Sequence, residues 1–166
     1  MEFPDIMEAF LLDPTPETRR PLRAAILGDR TFDPRIALRE QLGEAPSPQA
    51  VLGTIGARMP GLFLSPQAHG LLARAHQALG QESDAERERK LSLLALHEIE
   101  DSGTGTVDSP LEVLRVQDEY DHLQATRRRS TAQRLHRTDQ GEVDLHTLED
   151  GTELWFRLLW RVPAGG

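Results

Sequence analysis

Residues 65–99 read SPQAHGLLARAHQALGQESDAERERKLSLLALHEI, and the punctuation of this stretch decides the fold. Ser65 offers a side-chain oxygen at a helix N-cap. Pro66 follows at the first helical position, where the N–H that proline lacks has no intrahelical partner anyway. Gly80 supplies a turn, and Ser83 with Glu86 three residues on has the form of a capping box. Two helices joined by a tight turn are therefore expected, the second running to Ile99. From Leu91 to Ile99 it is apolar nearly all round, so more than one of its sides should be covered.

The same signals recur upstream. Thr15-Pro16, Asp33-Pro34 and Ser47-Pro48 repeat the cap-proline pair, so successive starts lie 18, 14, 18 and 18 residues apart. That is about half of a ~34-residue helical-hairpin repeat. Leu72, Ala73, His76, Gly80 and Ala85 sit 7, 8, 11, 15 and 20 residues after Ser65, the offsets of a tetratricopeptide unit. Arg89 stands where that pattern has an aromatic, so one unit is expected rather than an array. Before these, Phe3, Ile6, Met7, Phe10 and Leu11 form a one-faced helical stripe. Pro21 predicts a kink or late start in the segment from Pro16 to Leu27, which Gly28 closes. Helices over 33–42 and 47–58 follow, closed by Gly43 and Pro60. The apolar loop Met59–Leu64 should tuck beneath the layer.

After the breaker cluster Asp101-Ser102-Gly103-Thr104-Gly105-Thr106 the period changes. Leu111–Val116, Thr131–Arg137, Val143–Leu148 and Thr152–Val162 read as strands, and Asp118–Ala125 as one short helix carrying Tyr120 and Leu123. Asp139-Gln140-Gly141 and Glu149-Asp150-Gly151 read as hairpin turns. In the last strand Leu154, Phe156, Leu158, Trp160 and Val162 project to a core face lying on the Leu91–Ile99 helix. Trp155, Arg157, Leu159 and Arg161 project the other way. The expected fold class is α+β: a helical-hairpin, tetratricopeptide-like layer over residues 1–100, packed on a small antiparallel sheet with one helix over 101–166.

The order Ser102-Gly103-Thr104-Gly105, Ser109-Pro110, Val113, Val116, Glu119-Tyr120, Gln133, Asp144, Asp150-Gly151 and Trp155-Phe156 resembles a bacterial domain-of-unknown-function family. Its members join a tetratricopeptide-like region to a glycine-serine loop, a Glu-Tyr helix and a small sheet ending in an aromatic pair. The similarity spans roughly residues 65–162. It implies the α+β layout and no particular activity.

Composition narrows the chemistry. The net charge is −8, with −4 in residues 1–100 and −4 in 101–166, so neither part is a basic arm. Such a charge opposes nucleic acid and anionic lipid and suits a basic protein partner. With no cysteine there is no disulfide, thiolate or Cys-bound metal. The start lacks a basic, apolar leader, and no apolar run approaches the ~18 residues of a membrane span. A cytoplasmic location is expected. Arginine outnumbers lysine 18 to 1, the mark of a GC-rich bacterial genome.

No residue set has the form of a metal, cofactor or nucleophile site. His69 and His76 lie about 10.5 Å apart along one helix, too far to share an ion. Asp144 and His146 share one side of a strand but are only two ligands. The Ser102–Thr106 loop lacks the lysine of a phosphate loop. Six arginines or tryptophans stand out as contacts for a partner. Trp155, Arg157 and Arg161 are of the types enriched at interface hot spots, unless the chain's own helix covers that face. Arg127, Arg128 and Arg129, with Arg134, His136 and Arg137, form a basic cluster. It reads either as a contact for an acidic partner or nucleic acid, or as an edge strand guarded by charge. The tail Pro163–Gly166 reads as an ordinary terminus. The expectation is a non-enzymatic binding module for one cognate protein: an adaptor, chaperone or immunity factor. The alternative is a small enzyme built on His97, Asp101 and Asp144.

Overall fold

A computed structural model describes residues 1–161; Val162 and the tail Pro163–Gly166 lie outside the described residues. Helices α1 (Phe3–Leu12), α2 (Pro16–Gly28), α3 (Leu38–Leu42), α4 (Pro48–Gly56), α5 (Pro66–Ala78) and α6 (Glu82–Glu100) precede strand β1 (Leu111–Val113). Helix α7 (Val116–Ala125) and strands β2 (Ser130–Thr138), β3 (Gly141–Leu148) and β4 (Glu153–Leu158) complete the chain, with a 3-10 turn at Leu159–Arg161. The class is α+β.

Three of the five start signals act as caps. The side-chain oxygens of Thr15, Ser47 and Ser65 accept from the N–H groups of Thr18, Ala50 and Ala68. Asp33 does not start a helix. Its carboxylate accepts the N–H of Arg35 at 2.9 Å, which closes an Asx turn, and α3 begins only at Leu38. Ser83 is not a cap either, because Gly80 (φ +73°) turns the chain so tightly that α6 starts at Glu82 with Gln81 as its cap. Pro21 lies inside α2, which runs on through it as one helix.

The helices α5 and α6 pack side by side as the expected hairpin. Ala85 of α6 is wholly buried, and the Ser92 hydroxyl donates to the Pro66 carbonyl at 2.9 Å. On the other flank of α5, Leu72 and Ala75 join Ile36, Leu38, Val51, Ile55 and Leu62. A second cluster gathers Phe10, Leu22, Ile26, Phe63, Leu64 and Leu114, with Leu91 and Leu94 of α6 against it. The loop Met59–Leu64 is thus buried between layers, as its composition implied. Each fully buried Phe, Leu or Ile side chain contributes about 1.5–3 kcal/mol. The apolar end of α6 is only partly covered, since Leu93 remains 57% exposed.

The sheet has the order β1-β4-β3-β2 and is mixed, not antiparallel. The strands β2, β3 and β4 form two hairpins, while β1 pairs parallel with β4. The reason is the crossover. Helix α7 carries the chain from one edge back to the same end of the sheet at the other, so β1 and β2 point the same way. The return through two hairpins then lays β4 parallel to β1. Two strands are shorter than expected: β1 stops at Val113 because α7 already begins at Val116, and β4 stops at Leu158. Ile99, Leu111, Val113, Leu123, Leu148, Leu154, Phe156 and Leu158 form the sheet's core. Only the last turn of α6 contributes, through Ile99, whereas its Leu91 and Leu94 face the helical layer.

Arg115 and Asp118 join the two regions. The Arg115 side chain is completely buried; its guanidinium pairs with Asp118 at 3.2 Å, donates to the Gly61 carbonyl, and lies 5.7 Å from the Phe32 ring centre. Asp118 also accepts the backbone N–H of Arg115 at 3.0 Å and of Leu114 at 3.3 Å. Asp118→Ala should lower unfolding free energy by about 3–5 kcal/mol, since it strands a buried guanidinium. Urea unfolding followed by circular dichroism checks this, and a loss under 1 kcal/mol would contradict the role given to the pair.

Candidate functional site

Strand β2 is the one most exposed to its surroundings. Of its nine residues none is buried, and it forms an edge of the sheet. Register assigns its side chains to two faces. Gln133 lies opposite His146, and His146 opposite Leu154; Leu135 lies opposite Asp144, and Asp144 opposite Phe156. Arg134 and His136 therefore point to the other side, with Val143, Leu145, Trp155 and Arg157. Helix α7 lies on the Leu154–Phe156 side, where its His122 ring meets Phe156 at 5.8 Å. The face carrying Trp155 is not the face α7 covers. Trp155 is half-buried beside the His136 ring, 5.3 Å away.

An edge strand with so little apolar burial needs other anchors, and a buried polar network provides them. Glu119 of α7 and His146 of β3 are both fully buried, and His146 Nε2 is hydrogen-bonded to Glu119 at 2.7 Å. The other ring nitrogen bonds the Ser130 hydroxyl of β2 at 2.9 Å, and that hydroxyl also donates to the Ala132 carbonyl at 3.1 Å. Gln133 of β2 donates to Asp144 at 2.7 Å and accepts from the Tyr120 hydroxyl. Ser130 is thus tied to β3, and Gln133 to both β3 and α7. A register irregularity between Ser130 and Ala132 aims Ser130 inward toward His146.

Burial, then the neighbouring Asp144, push the Glu119 carboxyl up to about 10. The other oxygen of Glu119 (Oε1) forms no hydrogen bond among the protein groups, which a carboxylate so deeply buried could not sustain. Protonation removes the buried negative charge. Burial lowers His146, so its ring is neutral, with one nitrogen donating and the other accepting. The network therefore joins a neutral His146 and a protonated Glu119 to Ser130, Gln133 and Asp144. This arrangement ties α7, β2 and β3 together.

The arginines divide among several places. Arg127, with φ +55°, and Arg128 and Arg129 form the turn from α7 into β2. Arg129 meets Glu149 at 3.5 Å, and Arg137 meets Glu142 at 3.3 Å. Arg127, Arg128 and Arg134 form no ion pair among the described residues. Arg157 donates to Gln140 at 2.9 Å on the Trp155 face. Arg161 does not join it: the strand has ended, and the 3-10 turn brings Arg161 to Glu142 on the opposite side. The expected trio Trp155, Arg157 and Arg161 is therefore split.

The alternative set also scatters. Asp144 belongs to the buried network, whereas His97 is a largely exposed α6 side chain near Glu100, and Asp101 is exposed at the end of that helix. His69 bonds Glu88 at 2.6 Å and the Phe63 carbonyl, while His76 bonds Gln81. Among the described residues no group of three His, Asp or Glu side chains has metal-site geometry. No helix there is long and apolar enough to cross a membrane. The network itself escapes a reading of the sequence, because Glu119, Gln133, Ser130 and His146 come from three elements whose register the sequence does not print. The signal nearest to it was the strand alternation of Asp144 and His146 into an otherwise apolar face.

Comparison with protein-family models, curated proteins and solved structures finds no match.

Because Glu119 keeps in the folded state a proton that the unfolded chain has released above about pH 4.5, this group makes stability fall as pH rises between 4.5 and about 10. At full effect the slope is about 1.4 kcal/mol per pH unit. Glu119→Gln, a neutral isostere, should flatten the fall between pH 7 and 9.5 while leaving stability near pH 5 within about 1 kcal/mol. Thermal melts of both proteins across that range measure it, and parallel curves would show that Glu119 is ionised.

Proposed function

We propose that this chain is a protein-binding module whose contact surface is the β2 edge with the Arg127–Arg129 turn. The observation that supports this reading is the combination found there. Unpaired arginines stand beside two exposed apolar side chains, Leu135 of β2 at 47% and Tyr120 of α7 at 42% exposure, at a strand with no further strand on its outer side among the described residues. Charge alone would suit a guarded edge. An exposed leucine and tyrosine beside that charge weaken the guard and favour a contact. The polar network gives the strand a fixed register without burying its outer side, as a preformed docking edge requires.

The same reading covers one cognate protein in an adaptor, chaperone or immunity role, in the cytoplasm. It includes membership of the bacterial family that the sequence resembles. Four of the motif residues, Glu119, Tyr120, Gln133 and Asp144, meet in the network behind the edge, which supports treating that motif as one unit. The tetratricopeptide-like hairpin α5–α6 is the scaffold in this reading, since its fixed flank carries α7.

Affinity capture from the source organism, with the chain as bait, tests the proposal. A retained protein should be lost on Arg128→Glu with Arg134→Glu and kept on Arg20→Glu, which changes an exposed charge on α2. Capture of nothing, or capture indifferent to the β2 changes, would remove the surface from the proposal.

A further inference from the structure

Resting on the binding reading, we infer that the β2 edge takes an extended segment of its partner as a fifth strand, and that this segment alternates acidic and apolar side chains. An edge strand offers a row of outward N–H and C=O groups, and a peptide added there is held by main-chain hydrogen bonds, with its side chains read alternately on the two faces. The faces of β2 differ in kind. On one, Leu135 and Tyr120 present exposed apolar surface beside Gln133. On the other, Arg134 and His136 stand in the same line as the half-buried Trp155 and Arg157. A neighbouring strand with period 2 places every second residue on each face. Apolar groups then fall beside Leu135, and carboxylates beside Arg134. The Arg127–Arg129 turn extends the positive charge past the start of the strand.

A second copy of this chain is the wrong occupant. Antiparallel pairing of β2 with itself about its middle residue sets Arg134 against Arg134, and like charges directly opposite destabilise a ladder. The network also fixes what can move. Ser130 and Gln133 are held to His146 and Asp144, so β2 cannot slide to bring Arg134 out of register. The sequence of faces offered to the segment is therefore set in advance.

The test uses the full chain and three synthetic nine-residue peptides, matching the nine residues of β2. One alternates valine and glutamate, one alternates valine and lysine, and one is glutamate throughout. Fluorescence anisotropy should show saturable binding of the valine–glutamate peptide only. Amide hydrogen exchange should slow within Ser130–Thr138. Arg134→Glu, at an exposed position, should weaken binding about tenfold or more while Arg20→Glu leaves it unchanged. Equal binding of the lysine peptide, equal binding of the all-glutamate peptide, protection elsewhere, or no binding would overturn the inference. So would protection of β2 that grows with protein concentration and accompanies a dimer in sedimentation, since the occupant would then be a second copy. Failure of the peptides alongside a captured protein whose retention needs Arg128 and Arg134 would remove strand addition and leave the binding reading standing.

Discussion

A guanidinium with no access to water sits where the helical and sheet regions meet, and its two terminal nitrogens are bonded there while its Nε has no partner among the described residues. Arg115 has Asp118 for its charge, the Gly61 carbonyl for a second donor, and the Phe32 ring centre 5.7 Å from its guanidinium carbon. Each of these comes from a different place in the chain. Asp118 also closes the first turn of α7, so the ion pair and the helix start are one structure. Gly61 must approach the backbone of Thr31 so closely that any Cβ would collide with it, and the Thr31 hydroxyl accepts the Gly61 N–H at 2.8 Å. A nearby backbone bond, from Val116 N–H to the Pro34 carbonyl, repeats the link at 3.1 Å. The loop over 59–64 and the entry to α7 cannot be displaced independently. Burying the pair has a desolvation cost that the Coulombic attraction offsets only when every partner is in place. That makes it a device for specificity of arrangement more than for stability.

From this junction the constraint passes along α7 to the sheet. One residue after Asp118, Glu119 points at β3, and Tyr120 reaches Gln133 on β2. A helix fixed at its first turn carries those two side chains to fixed places, and they in turn fix the edge strand. The glycine-serine loop performs a similar task at the other edge. Ser102 accepts the N–H of Glu112 at 2.7 Å, and the carbonyl of Gly105 accepts the N–H of Trp155 at 2.9 Å. Gly103 lies so near the Pro110 carbonyl that no side chain fits there. Both edges are positioned by polar contacts, while the apolar cluster around Phe156 fills the middle.

What the sequence revealed follows from how local each signal was. Thr15, Ser47 and Ser65 declared their helices because a cap is a contact over three residues. Asp33 misled because an aspartate two residues before a free N–H serves an Asx turn as readily as a helix. Gly151 marked its hairpin through a positive φ that needs glycine. The parallel pairing of β1 with β4 had no local signature, since it depends on α7 crossing the sheet. Arg161 was assigned by extrapolating an alternation past Leu158, where the strand ends and the side chain rotates away to Glu142. The buried network was the least legible part. Single polar residues in alternating strands read as solvent-facing, and only register shows that Asp144, His146 and Gln133 face inward or across to Glu119.

The charge of the whole chain and of its edge have opposite signs, and the two act over different distances. At physiological ionic strength the field of exposed charges fades over roughly 8 Å. Under the proposed mode, a partner first meets the net acidic surface, which favours a basic protein. Once within reach of β2, the chain it presents lies beside Arg134 and the Arg127–Arg129 turn, where acidic side chains are favoured. A basic protein that carries a short acidic, apolar-alternating strand satisfies both requirements, and a uniformly acidic or uniformly basic one satisfies only one. Under the proposed mode, selection rests on this reversal of sign between approach and contact.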